Sequence, residues 1–316
     1  MLTALDKKGR KISLLGDALP SKQEFSCPGC GQALILRKGS RYRPHFAHTS
    51  LATCTYHFEN ESAEHLGLKA ALYRTLSETE EVQIEAVLPE LQQIADLLVN
   101  GQLALEVQCS PLSIERLRER TEAYHDHGFQ VLWMLGKKLW LDQRLTQLQR
   151  DFLYFSRNVG FYLWELDVLK REVRLQYLIH EDLRGRLHYL TKTFSLDQLS
   201  LGDLRFPYQQ QRVQPFKVKQ DQQIVVYARQ QLFYRHPKWL SWQAKVYEQG
   251  DNLLTWTVRN FSPQLNWPRS DQGFAQVKED LADYYRAFDQ FYRQDKPGVY
   301  QTLYPPAFLL KQVNQV

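Results

Sequence analysis

The sequence predicts an α/β protein with a mixed-sheet core, a small zinc-stapled β module before it and a mainly α-helical tail after it. Three observations carry this. Cysteines and histidines cluster within the first 57 residues. A helix, three strands, a second helix and a fourth strand then follow in order as far as Leu135. Helical patterning with no catalytic cluster fills the remainder. The expected divisions are 1–57, 58–200 and 201–316.

At 316 residues, with 43% apolar and 24% charged side chains, the chain is long enough for a full core and has the composition of a globular protein. A formal charge of +5 permits nucleic acid as a partner without demonstrating one. Basic residues are concentrated early: Lys7, Lys8, Arg10, Lys11, Lys22, Arg37, Lys38, Arg41 and Arg43 face only Asp6, Asp17 and Glu24. The amino terminus lacks an apolar signal region, and no run approaches the roughly 18 apolar residues of a membrane span. A cytoplasmic location is therefore expected. Three of the four cysteines lie with histidines in the first 54 residues, a pattern that points to metal in a reducing compartment.

Residues 1–57 read as short strands with turns at Lys8-Gly9 and Lys38-Gly39-Ser40, and they hold too few apolar residues for a self-sufficient core. Cys27-Pro-Gly-Cys30-Gly31 has the shape of a zinc knuckle. His45, His48, Cys54 and His57 are candidates for the second ligand pair, and Cys27, Cys30, His48 and Cys54 supply the four donors of a tetrahedral site. Such a zinc would be structural. Reduced cysteines in a small core are the alternative.

Asn60 is expected to cap a helix to about Leu76, with Glu61 and Glu64 in its first turn and Leu68, Leu72, Thr75 and Leu76 packed inward. Glu61, His65 and Lys69 follow one another at four-residue spacing on a neighbouring stripe. Taken alone that is a surface ion-pair ladder; beside acidic strands it becomes a set of metal-facing or phosphate-facing groups.

Val82 to Leu88 reads as the first strand. The next two form a hairpin, Ile94 to Val99 and Leu103 to Val107, about the turn Asn100-Gly101. Loop length decides its chemistry. A two-residue loop pairs Asp96 with Leu105 and sends Asp96 and Glu106 to opposite faces; a three-residue loop, with Gly101 left-handed, puts both on one face. The second register also leaves Ala95, Leu97, Val99, Leu103, Leu105, Val107 and Cys109 as a wholly apolar face, and is favoured for that reason. Two carboxylates on adjacent strands repel unless a cation sits between them, which points to a hard divalent ion.

Ser113 caps the next helix, which runs through His127 to Gly128 and aligns Arg116, Arg120 and Tyr124; Phe129 to Leu135 is the fourth strand. Leu139 to Leu153 looks helical, and Phe161 to Val168, Val173 to His180 and Leu187 to Phe194 look like strands. A linker is expected at Phe206 to Gln211, then helices over Gln222 to His236, Trp239 to Gln249 and Asp271 to Arg293. The aromatic residues of the tail are expected to pack rather than to stack on bases.

Asp96, the turn and Glu106-Val107-Gln108 resemble the core of the PD-(D/E)xK nuclease superfamily, with Gln108 where Lys is usual. The order of motifs is more specific. Cys27-x2-Cys30, Pro44-His-Phe-Ala-His48, Cys54, Glu61 with His65 and Lys69, Ala95-Asp96, Glu106-Val-Gln-Cys-Ser110, Arg120, Tyr124 and the Trp133 strand are similar to the CoiA competence-protein family. The likeness covers most of residues 1–136. Gln108 fits that family's own E-x-Q pattern.

The resemblance implies a zinc-binding amino-terminal module, a restriction-endonuclease-like domain and a helical carboxy-terminal region, in a protein that processes incoming single-stranded DNA during natural transformation and recombination. It implies a metal-dependent deoxyribonuclease, a hydrolase of phosphodiester bonds. Asp96 and Glu106, with the carbonyl of Val107, would bind magnesium or manganese; Gln108 would position water; Glu61 would complete the metal shell; His65 or Lys69 would steady the phosphate or assist proton transfer. Arg116, Arg120 and Tyr124 would meet DNA, single-stranded or branched, and recombination proteins would be partners. A catalytically weak or inactive DNA-binding scaffold is the alternative, and a zinc-stapled interaction module with no nucleic-acid role is a third reading.

Overall fold

Alternating apolar residues and turn chemistry build three sheets in a computed structural model, which describes all residues except 17–18, 22, 40–42, 50–53, 55, 57–60, 211–214, 295–297 and 314–316. In the amino-terminal module β1 (Thr3–Leu5), β2 (Lys11–Ser13), β3 (Phe25–Ser26), β4 (Ala33–Arg37) and β5 (His45–His48) pair antiparallel in the order β2-β1-β3-β4-β5. Its core is small: Met1, Ala4, Leu14, Phe25, Cys27, Leu34 and Phe46, with the Phe25 and Phe46 rings 4.8 Å apart. A module with so little to bury needs a staple or a neighbour.

Helix α1 (Ala63–Leu76) begins later than expected. Ser62 is the cap, its hydroxyl accepting the His65 amide at 3.1 Å, so Glu61 precedes the helix instead of lying in its first turn. Asn60, the expected cap, falls outside the described residues. Leu68, Leu72, Thr75 and Leu76 are buried, as their spacing requires, and Lys69 is buried with them.

Strands β6 (Val82–Leu88), β7 (Gln93–Val99) and β8 (Leu103–Gln108) follow as an antiparallel set; α2 (Ile114–Asp126) then crosses over to β9 (Gln130–Leu135), parallel to β8. Leu97 pairs with Leu105 and Val99 with Leu103, so the hairpin loop is the three residues Asn100, Gly101 and Gln102. Asn100 and Gly101 are both left-handed, at φ 50° and 65°. The favoured register is the observed one. Ser113 caps α2, its side chain accepting the Arg116 amide, and Gly128 turns the chain out at φ 80°.

The stretch 139–153 is not one helix. Only α3 (Gln147–Asp151) forms there, behind a Thr146–Gln149 capping box, because the segment before it is pulled onto the sheet. Trp140 Nε1 donates to the carbonyls of Leu135 and Leu166, and the Leu141 amide donates to Glu165. The sheet continues through β10 (Tyr154–Ser156), β11 (Gly160–Asp167), β12 (Glu172–Asp182) and β13 (Leu187–Ser195), giving the order β13-β12-β11-β9-β8-β7-β6 with β10 beside β11.

The tail is less helical than expected, and much of it is part of the main core. After α4 (Leu201–Leu204), residues 206–208 form a turn whose Phe206 ring packs on Phe194 and Tyr177, where a linker was expected. β14 (Phe216–Lys219), α5 (Ile224–Phe233), α6 (Pro237–Glu248), β15 (Leu265–Asn266), α7 (Ala282–Gln294), β16 (Tyr300–Leu303) and α8 (Pro306–Val313) complete the chain. Residues 271–281 are drawn out of helix by contacts with the nuclease-like core: Arg118 donates to the carbonyls of Gln272 and Gly273, and the Gln276 amide reaches Thr121 and the Asp151 carbonyl. β15 pairs with β12, and Tyr284, Phe288 and Tyr292 of α7 join the main core. Helices α5 and α6 instead close a separate cluster about Trp239 and Phe261. Most tail aromatics pack, but Phe233 and Tyr234 are 80% and 75% exposed. No helix among the described residues is long and apolar enough to cross a membrane.

Candidate functional site

Two clusters of possible metal ligands stand out among the described residues, one in each of the first two units. In the amino-terminal module the Sγ atoms of Cys27, Cys30 and Cys54 and a ring nitrogen of His48 all lie within 4.8 Å of one another. Cys30 Sγ is 3.4 Å from His48 Nε2. Tetrahedral zinc with arms of about 2.3 Å to sulfur sets its donors roughly 3.8 Å apart, so three thiols and an imidazole at this spacing fit that ion. The knuckle is shaped by Gly31, left-handed at φ 73°, whose amide closes on the Cys27 carbonyl at 2.9 Å. Burial pushes the Cys27 thiol up to about 12, a group that stays protonated at neutral pH until a cation takes the proton's place. His45 sits apart, with Nδ1 3.0 Å from the Arg43 carbonyl, and His57 is outside the described residues.

The second cluster is built by α1 lying over β6, β7 and β8. The next rung after Leu97–Leu105 places Asp96 opposite Glu106, while the pairs Ile84–Leu97 and Ala86–Ala95 bracket Glu85 against Asp96. Three acids therefore stand abreast on three neighbouring strands. Helix α1 supplies the countercharge: Lys69 Nζ lies 2.8 Å from Glu85, 3.3 Å from Asp96 and in closer contact with Glu61. His65 Nε2 is 2.9 Å from Asp96 Oδ2, which also accepts the Val107 amide at 2.9 Å. The amine of Met1 lies against Glu61 and donates to the Phe46 carbonyl at 2.9 Å.

These groups line one cavity of about 450 Å³, together with Glu106, Gln108, Arg116, Arg120 and Lys138. Carboxylate oxygens of Glu61 and Asp96 and a ring nitrogen of His65 lie within 4.8 Å of one another, a donor set that suits a divalent ion with mixed oxygen and nitrogen ligands. Burial alone would raise Asp96, but His65 and Lys69 outweigh it and hold the carboxyl far below its usual range. Burial likewise opposes the charge on Lys69, and Glu61, Glu85 and Asp96 more than restore it.

Glu106 is held differently. Its Oε1 accepts from Arg120 at 2.8 Å and from the Tyr124 hydroxyl, and burial pushes its carboxyl up in spite of Arg120. This corrects the expectation for α2. Tyr124 is fully buried and Arg120 turns inward, its guanidinium 5.0 Å over the Trp133 ring, because a buried carboxylate on β8 needs donors from the helix above it. Arg116 stays at the rim of the cavity. The Gln108 side-chain amide donates to the Ser110 carbonyl at 2.7 Å.

Residues 15–57 match the family described as "Competence protein CoiA, N-terminal domain", and residues 61–210 match "Competence protein CoiA, nuclease-like domain". Together these cover more than half of the chain. The chain belongs to the CoiA competence-protein family. A curated relative, "Competence protein CoiA" of Bacillus subtilis (strain 168), is 32% identical over 119 residues, 36% of this chain and 32% of its own length. The chain thus spans about a third of that relative's length. No solved structure matches. The four-residue Cys/His cluster lies inside the CoiA N-terminal match, and the cavity residues from Glu61 to Lys138 lie inside the nuclease-like match.

Sequence reasoning missed Glu85 and Lys138. A lone acid in the apolar run Val82 to Leu88 was the available signal for Glu85. Lys138, in a turn after β9, carried none.

Proposed function

We propose that this cavity binds the sugar-phosphate backbone of DNA and hydrolyses phosphodiester bonds with the help of magnesium or manganese, in the recombination of incoming single-stranded DNA. The observation that carries the reading is the convergence of Glu61, His65, Asp96 and Glu106 with Lys69, Arg116 and Lys138 in one cavity of a CoiA nuclease-like domain. Glu61, His65 and Asp96 would hold the ion, with Glu106 at the adjoining position. A bound divalent ion would supply Lewis-acid polarisation of a phosphate oxygen and an acidified water. Lys69 would yield its contact with Asp96 and turn to the phosphate, and Gln108 would orient the incoming water. Arg116 and Lys138 would hold the flanking phosphates at the cavity mouth, with single-stranded or branched DNA as the substrate and recombination proteins as partners. The module at residues 1–57 would hold structural zinc through Cys27, Cys30, His48 and Cys54.

The test is manganese-dependent cleavage of single-stranded, duplex and branched DNA by wild type and Asp96→Ala. Cleavage is expected from wild type and a loss of at least about a hundredfold from the variant; equal cleavage by both would sink the assignment.

One observation favours a second reading, a DNA-binding scaffold with little or no catalysis. Lys69 already satisfies Glu61, Glu85 and Asp96, and Arg120 with Tyr124 satisfies Glu106, so the acids are balanced by the chain's own cations. Calorimetry separates the two. Heat of manganese binding that disappears in Asp96→Ala supports the nuclease, and no binding at millimolar manganese supports the scaffold.

A further inference from the structure

We infer that Glu85 is a positioning residue for Lys69, and that the amino-terminal module, by lying across Glu85, sets how far the Lys69 ammonium leans towards Asp96. Glu85 is buried at 2% exposure, and its backbone is left-handed at φ 47° inside a strand. A non-glycine residue holds that conformation only when its surroundings fix it. Here they do. Glu85 Oε1 accepts the Leu2 amide at 2.7 Å and Lys69 Nζ at 2.8 Å; Oε2 accepts the Thr3 amide at 2.8 Å and the Thr3 hydroxyl at 2.6 Å. Lys11 grips the same point of the backbone, donating to the Ile84 and Glu85 carbonyls at 2.6 and 3.1 Å.

Three of the four donors to this carboxylate therefore come from β1 and the residue before it, and the fourth is a side chain of the candidate nuclease cavity. A buried carboxylate must be satisfied. While the strand is seated, its amides and hydroxyl carry most of that demand, and Lys69 is shared with Glu61 and Asp96. With a donor removed from the strand side, Glu85 draws the ammonium towards itself, and the contact that yields is the longest, the 3.3 Å to Asp96. Removing the charge of Glu85 does the opposite and leaves Lys69 to Glu61 and Asp96 alone. A residue that merely clamps the module would loosen the interface in either case and would have no opposed effects.

The inference extends the proposed function, but its primary test does not depend on metal or on cleavage. Crystal structures of the whole 316-residue chain, purified with zinc, are compared for wild type, Thr3→Val and Glu85→Gln. The Lys69–Asp96 contact is expected to open past about 3.5 Å, the limit of a hydrogen bond, in Thr3→Val and to tighten in Glu85→Gln. Shifts in the same direction, or no shift in either, overturn the inference; if Glu85→Gln does not fold, an unchanged contact in Thr3→Val overturns it and an opened one supports it. Manganese affinity by calorimetry should then rise about threefold in Thr3→Val and fall about threefold in Glu85→Gln, since the ion and the ammonium compete for Asp96. Absence of manganese binding in all three proteins would defeat the nuclease reading while leaving the structures to decide the role of Glu85.

Discussion

The two ligand clusters solve the problem of gathered donors in opposite ways. In the amino-terminal module three thiols and an imidazole meet with no lysine or arginine of the described residues in the cluster, and burial pushes the Cys27 thiol up to about 12. Under the β6–β8 strands, three carboxylates meet around an ammonium already in place, with Lys69 1% exposed. The first is a soft set of sulfur and nitrogen donors, in which a bound ion would take the place of the Cys27 proton. The second is charged and hard, and is balanced before any ion arrives. Metal at the first is therefore a matter of folding, whereas metal at the second must compete with a side chain.

The largest effect should come from breaking the first cluster. Zinc bound by a set of thiolates contributes on the order of 10 kcal/mol to the folding of a small module. Among its described residues the core of this one is seven buried side chains, so it leans on a staple or a neighbour. Cys27→Ser is expected to abolish stoichiometric zinc, measured by elemental analysis, and to make residues 1–57 the first segment cut in limited proteolysis. Full protease resistance in a zinc-free variant would show that docking on the nuclease-like core, and not the ion, holds the module together.

Removing the ammonium tests the second half of the contrast. Lys69→Met leaves Glu61, Glu85 and Asp96 facing one another without their shared cation, and breaking a buried pair in this way costs about 3–5 kcal/mol. Denaturant unfolding should register that loss. Manganese should then stabilise the variant by more than it stabilises wild type, because the ion no longer competes with a lysine; at a hundred times its dissociation constant it contributes about 2.7 kcal/mol. Equal stabilisation of both proteins would mean that Lys69 and the ion do not share a place.

How much of this arrangement was legible depended on how local its causes are. The three-residue loop at Asn100 to Gln102 follows from a turn signal and an alternation contained in fewer than twenty residues, and the Cys27, Cys30, His48 and Cys54 cluster follows from a cysteine pair and four candidate partners within thirty residues of it. The role of Glu85 is set by Leu2 and Thr3, more than eighty positions away, and no periodicity carries that. The same holds for residues 271–281, whose polar, helix-compatible sequence is overruled by Arg118, Thr121 and Asp151 on the far side of the chain. The four-residue spacing of Arg120 and Tyr124 predicts their shared stripe on α2, but not the direction in which that stripe points. It faces a buried Glu106, and burial of a strand residue on both sides is a property of the whole sheet.

A buried histidine outside both clusters, with no carboxylate of the described residues bonded to its ring, marks the limit of the comparison. His180 is 1% exposed on β12, stacked 5.8 Å from Phe288 of α7, and its Nδ1 is 2.9 Å from the Leu178 carbonyl. Burial pushes it down to about 4, whereas His65, half-buried beside Asp96, is pushed up by that carboxylate in spite of desolvation. The two should respond to acid with opposite sign. For His180 the unfolded chain, with a pKa of about 6.5, takes up a proton between pH 6.5 and 4 that the folded chain refuses, so stability falls as pH falls through that window. The full span is worth about 2–3 kcal/mol. His180→Gln should remove that share of the slope when urea unfolding is compared at pH 7 and pH 4.5, and it should leave the manganese response of the Asp96 cavity unchanged. If the variant keeps the wild-type slope, His180 is not the group that makes the junction of β12 and α7 sensitive to acid, and suppression of charge by burial alone would have to be sought elsewhere in the core.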